Sequence, residues 1–390
     1  MIYTLRRHDL KFYVVITVLS TLVSISSIYI VANKYGRLQF SEYAYYAVIT
    51  QIIFTISDLG TKISYFKGDK KNQKIDYKYL LATKLVVAII LFVAYGIVSR
   101  SSVYLSYTLT VIGTSIFPTA FLQEYRLYTI ISINNLLFRV VPLLFISLFN
   151  SIFGFTLFSG FVLLLFSLII LLKFKIVGKH RFTYRRFKIY FGAVLQSNKY
   201  LSFINILSII EINIHTIVAK NFFSAVDFAD FMYLERYINF LKQSVIYLYE
   251  YLFPKINLQN LSRYSYFVRR ISFLYVLSFI IGFAFLNYFD FSQFFGMRIS
   301  NVFYFFCLYP LSTLVFNFVT SVIFYKYSSD RNNLFILLSV TFIKTLLILS
   351  FSKLLGIQII PIVLIVAEII MGMLRYWFLP ASVKNLIKII

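Results

Sequence analysis

The chain has 390 residues, of which 60% are hydrophobic and only 13% charged, an apolar share well above the roughly 45–50% of a soluble globule. Its 38 Lys and Arg against 14 Asp and Glu leave a net charge of +24, yet the basic residues fall in short stretches between long apolar runs, which argues against a nucleic-acid binder with one positive face. The longest polar interruption, residues 173–190, is too short for an independent soluble domain, and the one cysteine, Cys307, gives neither an intrachain disulfide nor a thiolate metal cluster.

A hydrocarbon core about 30 Å thick is crossed by roughly 20 helical residues, and irregular backbone cannot face lipid. Helical spans of that length are expected in twelve places. The first, 11–32, follows Arg6, Arg7 and Lys11 and aligns Thr17, Thr21, Ser24 and Ser27; no small-residue cleavage site follows, so it reads as a retained helix and not as a signal peptide. The second, 44–66, sets Gln51, Thr55, Asp58 and Lys62 at helical spacing, which makes one polar stripe. Spans three to six are 80–99, 103–123 (with Pro118), 129–149 (with Ser132, Asn135, Arg139 and Pro142) and 152–172. The seventh, 200–219, aligns Ser208, Glu211 and His215. The eighth, 228–250, is the most interrupted, by Glu235, Arg236, Lys242 and Gln243, with Glu235, Asn239 and Lys242 on one face. The last four are 271–289, 301–325 (with Pro310, Thr313, Asn317 and Thr320), 333–353 (with Lys344) and 358–379 (with Pro361 and Arg375).

Lys and Arg accumulate in cytoplasmic loops. With both termini inside, the inner segments hold 24 of the 38 basic residues and the outer ones only 6, so both ends are expected in the cytoplasm. The basic stretch KFKIVGKHRFTYRRFKIY (173–190) falls where two six-helix units would join. Between spans one and two the chain reads Glu42-Tyr43-Ala44-Tyr45-Tyr46, and between spans seven and eight Asp227-Phe228-Ala229-Asp230-Phe231. The expected fold is therefore an all-α polytopic membrane protein of about 12 transmembrane helices, built as two parallel-repeat bundles, 1–180 and 181–390.

An ionisable group within a bilayer costs about 2.5–3.5 kcal/mol even on lenient scales, so those that remain face a partner or a wet cavity. Polar stripes in both halves predict a hydrated interior between them. Each stripe has a plainer reading beside this one. Ser and Thr faces also serve close helix packing, and Asp58 and Lys62, four apart, can neutralise each other. Lys62, Lys84, Lys199 and Arg375 stand near cytoplasmic ends where long stems reach the headgroups. Arg139, Arg236 and Lys344 lie deeper and favour the cavity. His215, one turn from Glu211, is either a proton-exchanging group or a packing residue, and the interrupting prolines mark either hinges or fixed bends.

The chain has no phosphate-binding glycine loop ending in Lys-Ser/Thr, no His-Glu-x-x-His pair and no Gly-x-Ser-x-Gly elbow. Outer loops of about a dozen residues or fewer leave little room for catalytic groups. No enzyme activity, catalytic residue, metal site or cofactor is expected.

Three passages carry a resemblance: Lys34-Tyr35-Gly36 through Phe40-Ser41-Glu42-Tyr43-Ala44 to Asp58-Leu59-Gly60; Phe121-Leu122-Gln123-Glu124-Tyr125-Arg126 with Arg139 beyond; and Ile210-Glu211-Ile212 through Phe228-Ala229 to Leu252-Phe253-Pro254. With the span order, they resemble the Wzx-type flippases of O-antigen and capsule repeat units, in the multidrug/oligosaccharidyl-lipid/polysaccharide exporter superfamily. Glu211 stands where that family commonly has Asp, and Ala44 replaces a usual glycine. The resemblance implies a multi-pass protein of the bacterial cytoplasmic (inner) membrane that flips undecaprenyl-diphosphate oligosaccharides outward by alternating access, driven by H+ or Na+. It further implies membrane lipids, a polysaccharide polymerase and a chain-length regulator as partners. Arg139, Arg236, Lys344, Lys242 and Lys62 would meet the substrate, and Asp58, Glu211 and His215 would couple the ion. Two rival readings are a drug or small-molecule antiporter of the same superfamily and, from the enzyme class, a repeat-unit polymerase.

Overall fold

Two long helices meet at a single residue. Helix α1 (Asp9–Tyr35) and helix α2 (Arg37–Ser57) are separated only by Gly36, whose φ of 82° and ψ of 156° lie where glycine alone sits without strain. The computed structural model describes residues 9–59, 77–124, 127–176, 182–197, 199–236, 308–313 and 328–381, with isolated positions at 266, 270, 272–277, 280, 324 and 383–384. After α2 come α3 (Tyr77–Ser99), α4 (Ser102–Leu105), α5 (Thr108–Ile116), α6 (Thr119–Glu124), α7 (Tyr128–Leu144), α8 (Ile152–Lys173), α9 (Tyr184–Ser197) and α10 (Lys199–Phe222). A helical stretch over 225–236 follows, then α11 (Asp330–Leu355) and α12 (Ile359–Trp377). No strand occurs among the described residues. Serine caps start three helices: the side chains of Ser101, Ser151 and Ser329 accept from the amides of Tyr104, Gly154 and Asn332.

The chain divides into two compact units, Met1–Ile209 and Ile210–Ile390. Four stretches among the described residues are long and apolar enough to cross a membrane: Tyr77–Ser99, Ile152–Lys173, Ser202–Phe222 and Arg331–Trp377. Their outward sides carry bare aliphatic groups, with Val98 79%, Leu172 78% and Leu354 77% exposed, as a lipid-facing surface requires. This is a multi-pass membrane protein.

In the first unit α5 packs on α8, α1 on α7, and α3 on α5. Lipid tails are as apolar as leucine, so no hydrophobic effect drives helices together in a membrane, and close backbone approach takes its place. That approach is visible at two glycines. A Cβ on Gly113 would stand 2.8 Å from the Leu164 amide nitrogen, and one on Gly160 would stand 2.6 Å from that of Thr110. Ser167 adds a bridge, its hydroxyl donating to the Gly113 carbonyl at 2.8 Å. Nearby, Tyr104 is fully buried, stacks on Phe92 at 4.4 Å and donates to the Phe92 carbonyl at 2.9 Å.

Six expected spans of the first half each correspond to a helix or a broken helix, with four differences. The second begins at Arg37 and stops at Ser57, where Asp58 caps it and Leu59 turns to a φ of 48°; its polar stripe therefore ends at Asp58, and Lys62 lies outside the described residues. The fourth is three pieces. Pro118 cannot donate to the ladder and forces Phe117 to an extended ψ of 123°, so α5 ends at Ile116. Pro142 stands two residues before the end of α7, and Pro361 in the first turn of α12 where no helical bond is lost, so neither opens a mid-span kink. The basic 173–190 stretch, expected as a plain connection, runs into the extra helix α9. Most of the expected eighth, ninth and tenth spans lie outside the described residues, as do Cys307, Asn239, Lys242, Gln243, Asn317 and Thr320.

Candidate functional site

The second unit gathers charged side chains within its helices. Glu211, His215 and Thr216 recur at helical spacing on α10, Lys344 sits mid-way along α11, Glu368 and Arg375 stand two turns apart on α12, and Glu235 belongs to the 225–236 stretch. Lys344 is only 1% exposed; its ammonium stands 3.0 Å from Oε1 of Glu211 and donates to the Glu211 backbone carbonyl as well. A buried ammonium needs such a set, because an unpaired one would cost several kcal/mol.

One turn further along α10, His215 Nε2 lies 2.9 Å from Oε1 of Glu235, and the Thr216 hydroxyl donates to the same oxygen at 2.9 Å. A carboxylate only accepts, so Nε2 carries the proton of that contact. Glu235 is 4% exposed, and its other oxygen, Oε2, is buried with no hydrogen-bond partner among the described residues. The ring of Phe231 closes over His215 edge-on at 6.0 Å. Buried Tyr309 hydrogen-bonds the Glu368 carboxylate, with Glu211 and Glu235 close enough to act on the same hydroxyl electrostatically. Three carboxylates thus share one neighbourhood with Lys344 and His215.

In the first unit Asp58 and Arg139 make contacts of their own. Asp58 forms an ion pair with Lys84 of α3, both side chains nearly covered. Lys84, expected as a headgroup anchor, thus pairs with Asp58, which closes α2; Lys62, the expected partner of Asp58, lies outside the described residues. On α7, Arg139 donates through Nη1 to the Ser20 carbonyl at 3.0 Å and to the hydroxyls of Ser20 and Ser24 on α1. Hydrogen bonds from a charged group are each worth about 1.5–3 kcal/mol. Arg139→Met is therefore expected to lower the thermal stability of the detergent-purified chain by about that amount, with Arg139→Lys intermediate, in a thermal-shift measurement.

Of the residues expected to bind substrate, Lys344 is buried with Glu211, Arg139 is held by α1, Arg236 is half-buried beside Glu235, and Lys62 and Lys242 lie outside the described residues. Of the coupling candidates, Glu211 and His215 fall in one cluster and Asp58 in the other unit. Glu211 pairs with Lys344 of α11, and His215 with Glu235 of the 225–236 stretch. Sequence reasoning passed over Glu368 and Tyr309, and it treated Arg375 as an anchor although Arg375 is 5% exposed. A signal existed: Glu368 is the one acid of the 358–379 span, and Arg375 follows seven residues later on the same face. No group of His, Cys, Asp and Glu suited to hold a metal occurs among the described residues.

No protein-family model and no curated protein matches the sequence. Among solved structures, an inward-facing multidrug resistance MATE family transporter of the MOP superfamily matches with a TM-score of 0.61 at 15% identity, covering 96% of this chain and 95% of that one. A MATE protein crystallised with Br-NRF matches at a TM-score of 0.49 and 13% identity, covering 99% and 98%. The fold of this chain is similar to that of the first.

Proposed function

We propose that this chain is an ion-coupled exporter of small amphiphilic molecules, working by alternating access, with the second-unit cluster as its coupling site. The observation that carries this reading is Glu235. It is a buried carboxylate with one oxygen fixed by His215 and Thr216 and the other without a hydrogen-bond partner among the described residues. A proton arriving at Oε2 neutralises the carboxylate and weakens its hold on His215, and a proton at Glu211 frees Lys344 in the same way. The second event leaves a buried ammonium uncompensated, which costs about 3–5 kcal/mol unless the helices rearrange. Proton occupancy and helix arrangement are thereby linked.

The choice of cargo rests on charge. Among the described residues of the second unit, Glu235 and Glu368 are buried with Lys344 and Arg375, and Glu211 and Arg236 are half-covered, so these groups carry no net positive charge. A diphosphate-bearing cargo would find no net positive charge there to offset its own, whereas a neutral or cationic amphiphile needs none, and the fold neighbour is described as a multidrug resistance transporter. A second reading, the flipping of lipid-linked oligosaccharides in the bacterial cytoplasmic membrane alongside a polymerase and a chain-length regulator, draws on the motifs noted above.

Efflux of a fluorescent amphiphilic cation from proteoliposomes separates these readings. An imposed pH gradient, with a sodium gradient as the parallel arm, is expected to drive efflux by the wild-type chain. Glu235→Gln, which keeps the shape but cannot cycle a proton, should reduce it at least tenfold, and His215→Asn should reduce it partially. Absence of gradient-driven efflux, with outward transfer of a lipid-diphosphate oligosaccharide in the same vesicles, would reverse the choice of cargo. Full activity of Glu235→Gln would remove the coupling role.

A further inference from the structure

Helix α9 was no part of the expected span plan, and its position is informative. Its inner face packs on the start of α3: Tyr79 contacts Tyr190 at 6.1 Å and Phe182 at 5.2 Å, and the Thr183 amide approaches the Tyr79 hydroxyl. Tyr79 is the third residue of a 23-residue helix long enough to span the bilayer. A helix that touches the first turn of a spanning helix sits at the level of the membrane surface, not out in the aqueous phase.

The other side of α9 is exposed and mixed. Arg185, Arg186 and Lys188 are all exposed, and flanking them are bare apolar groups, with Tyr184 at 74% and Ile189 at 65%. In water, bare rings and aliphatics beside cations are unfavourable. At a lipid–water boundary the combination is favourable, because rings enter the headgroup layer while guanidinium and ammonium groups meet phosphates. Lys173 ends spanning helix α8 ten residues before α9, and Lys78 lies over the Tyr79 ring at 4.9 Å, so further positive charge collects at this edge.

We propose that α9 is an interfacial helix that binds the headgroups of anionic phospholipids through Arg185, Arg186 and Lys188, so that the protein gathers acidic lipid at this edge. A basic residue near a charged membrane surface contributes about 1 kcal/mol, or roughly fivefold in binding, so neutralising two should be felt on the order of tenfold.

The test uses the full chain in nanodiscs of phosphatidylcholine with a minor share of phosphatidylglycerol, and it reads the lipids retained on extraction by native mass spectrometry. Wild type should retain phosphatidylglycerol preferentially. Arg185→Gln/Lys188→Gln should lose most of that preference, on the order of tenfold. The charge-keeping Arg185→Lys/Lys188→Arg variant should retain it, as should Arg100→Gln/Lys353→Gln, which removes two exposed charges elsewhere. Loss in the charge-keeping or the distant variant would overturn the assignment, as would displacement of the lipid by millimolar inorganic phosphate, which would mark a free-phosphate site. An unchanged preference in Arg185→Gln/Lys188→Gln would overturn it too and leave this face to a soluble acidic partner. Monodisperse size-exclusion profiles for all variants separate these outcomes from misfolding.

Discussion

Lys344→Met is expected to destabilise the chain by about 3–5 kcal/mol, the usual cost of stranding one partner of a buried ion pair. The removed ammonium is fully covered, and Glu211 keeps its carboxylate in a site only 12% exposed. The Glu211 backbone carbonyl loses the Lys344 donor at the same time. Replacing both partners by apolar groups of similar size removes the stranded charge, and such exchanges are often neutral or stabilising. Thermal unfolding in detergent should therefore show Lys344→Met well below wild type and Lys344→Met/Glu211→Leu recovering most of the loss. Simple addition of the two single effects would mean that the pair is not coupled energetically. The double variant also serves the transport question: it should fold and yet carry nothing against an ion gradient.

Gly160→Leu should prevent α5 and α8 from docking, and even Gly160→Ala should be costly. The added Cβ would meet the Thr110 amide nitrogen at 2.6 Å, the Thr110 hydroxyl at 2.8 Å and the Leu109 Cβ at 2.9 Å. The first of these is backbone within a helix and cannot swing aside as a side-chain tip would. Overpacking of a close core costs about 1–3 kcal/mol, and here the strain falls on the contact that holds two helices together. The alanine variant should lose stability within that range and the leucine variant should elute as aggregate in size exclusion. Gly160→Ala as stable as wild type would show that the contact yields. Gly154→Ala is the contrast, since its nearest neighbour is the ring of Phe149 at 3.3 Å, a side chain that can shift.

The long apolar runs made the spans legible because a bilayer demands about 20 residues of one character, and that single constraint placed α1, α3, α8, α10, α11 and α12 within a few residues. It could not place α9, whose apolar residues cover only one side and whose charges read as an ordinary cytoplasmic connection. Nor could it place the start of α2, because Arg37, Gln39 and Glu42 are polar residues inside a helix that begins at the membrane surface. Of the charged cluster, Glu211, His215 and Lys344 were visible as ionisable groups in apolar surroundings. Their partners were not, since the pairing of Glu211 with Lys344 crosses 133 residues and periodicity speaks only of neighbours on one helix. Asp58 shows the same limit, since four-residue spacing points only to Lys62 on its own helix, while its ion pair with Lys84 joins two helices.

Gly36 has a bearing on how kinship among such chains is judged. Its backbone occupies a torsional region closed to L-amino acids, while a Cβ built there would touch nothing within 4 Å. A D-alanine would fit, whereas any genetically encoded side chain would be forced into the wrong hand. Mutational scanning should therefore flag this position as intolerant although an added side chain would start in open space, the penalty being one of stereochemistry. Two proteins sharing the Lys34-Tyr35-Gly36 triplet share a bend in the path of the chain, and agreement there carries no information about what either one moves.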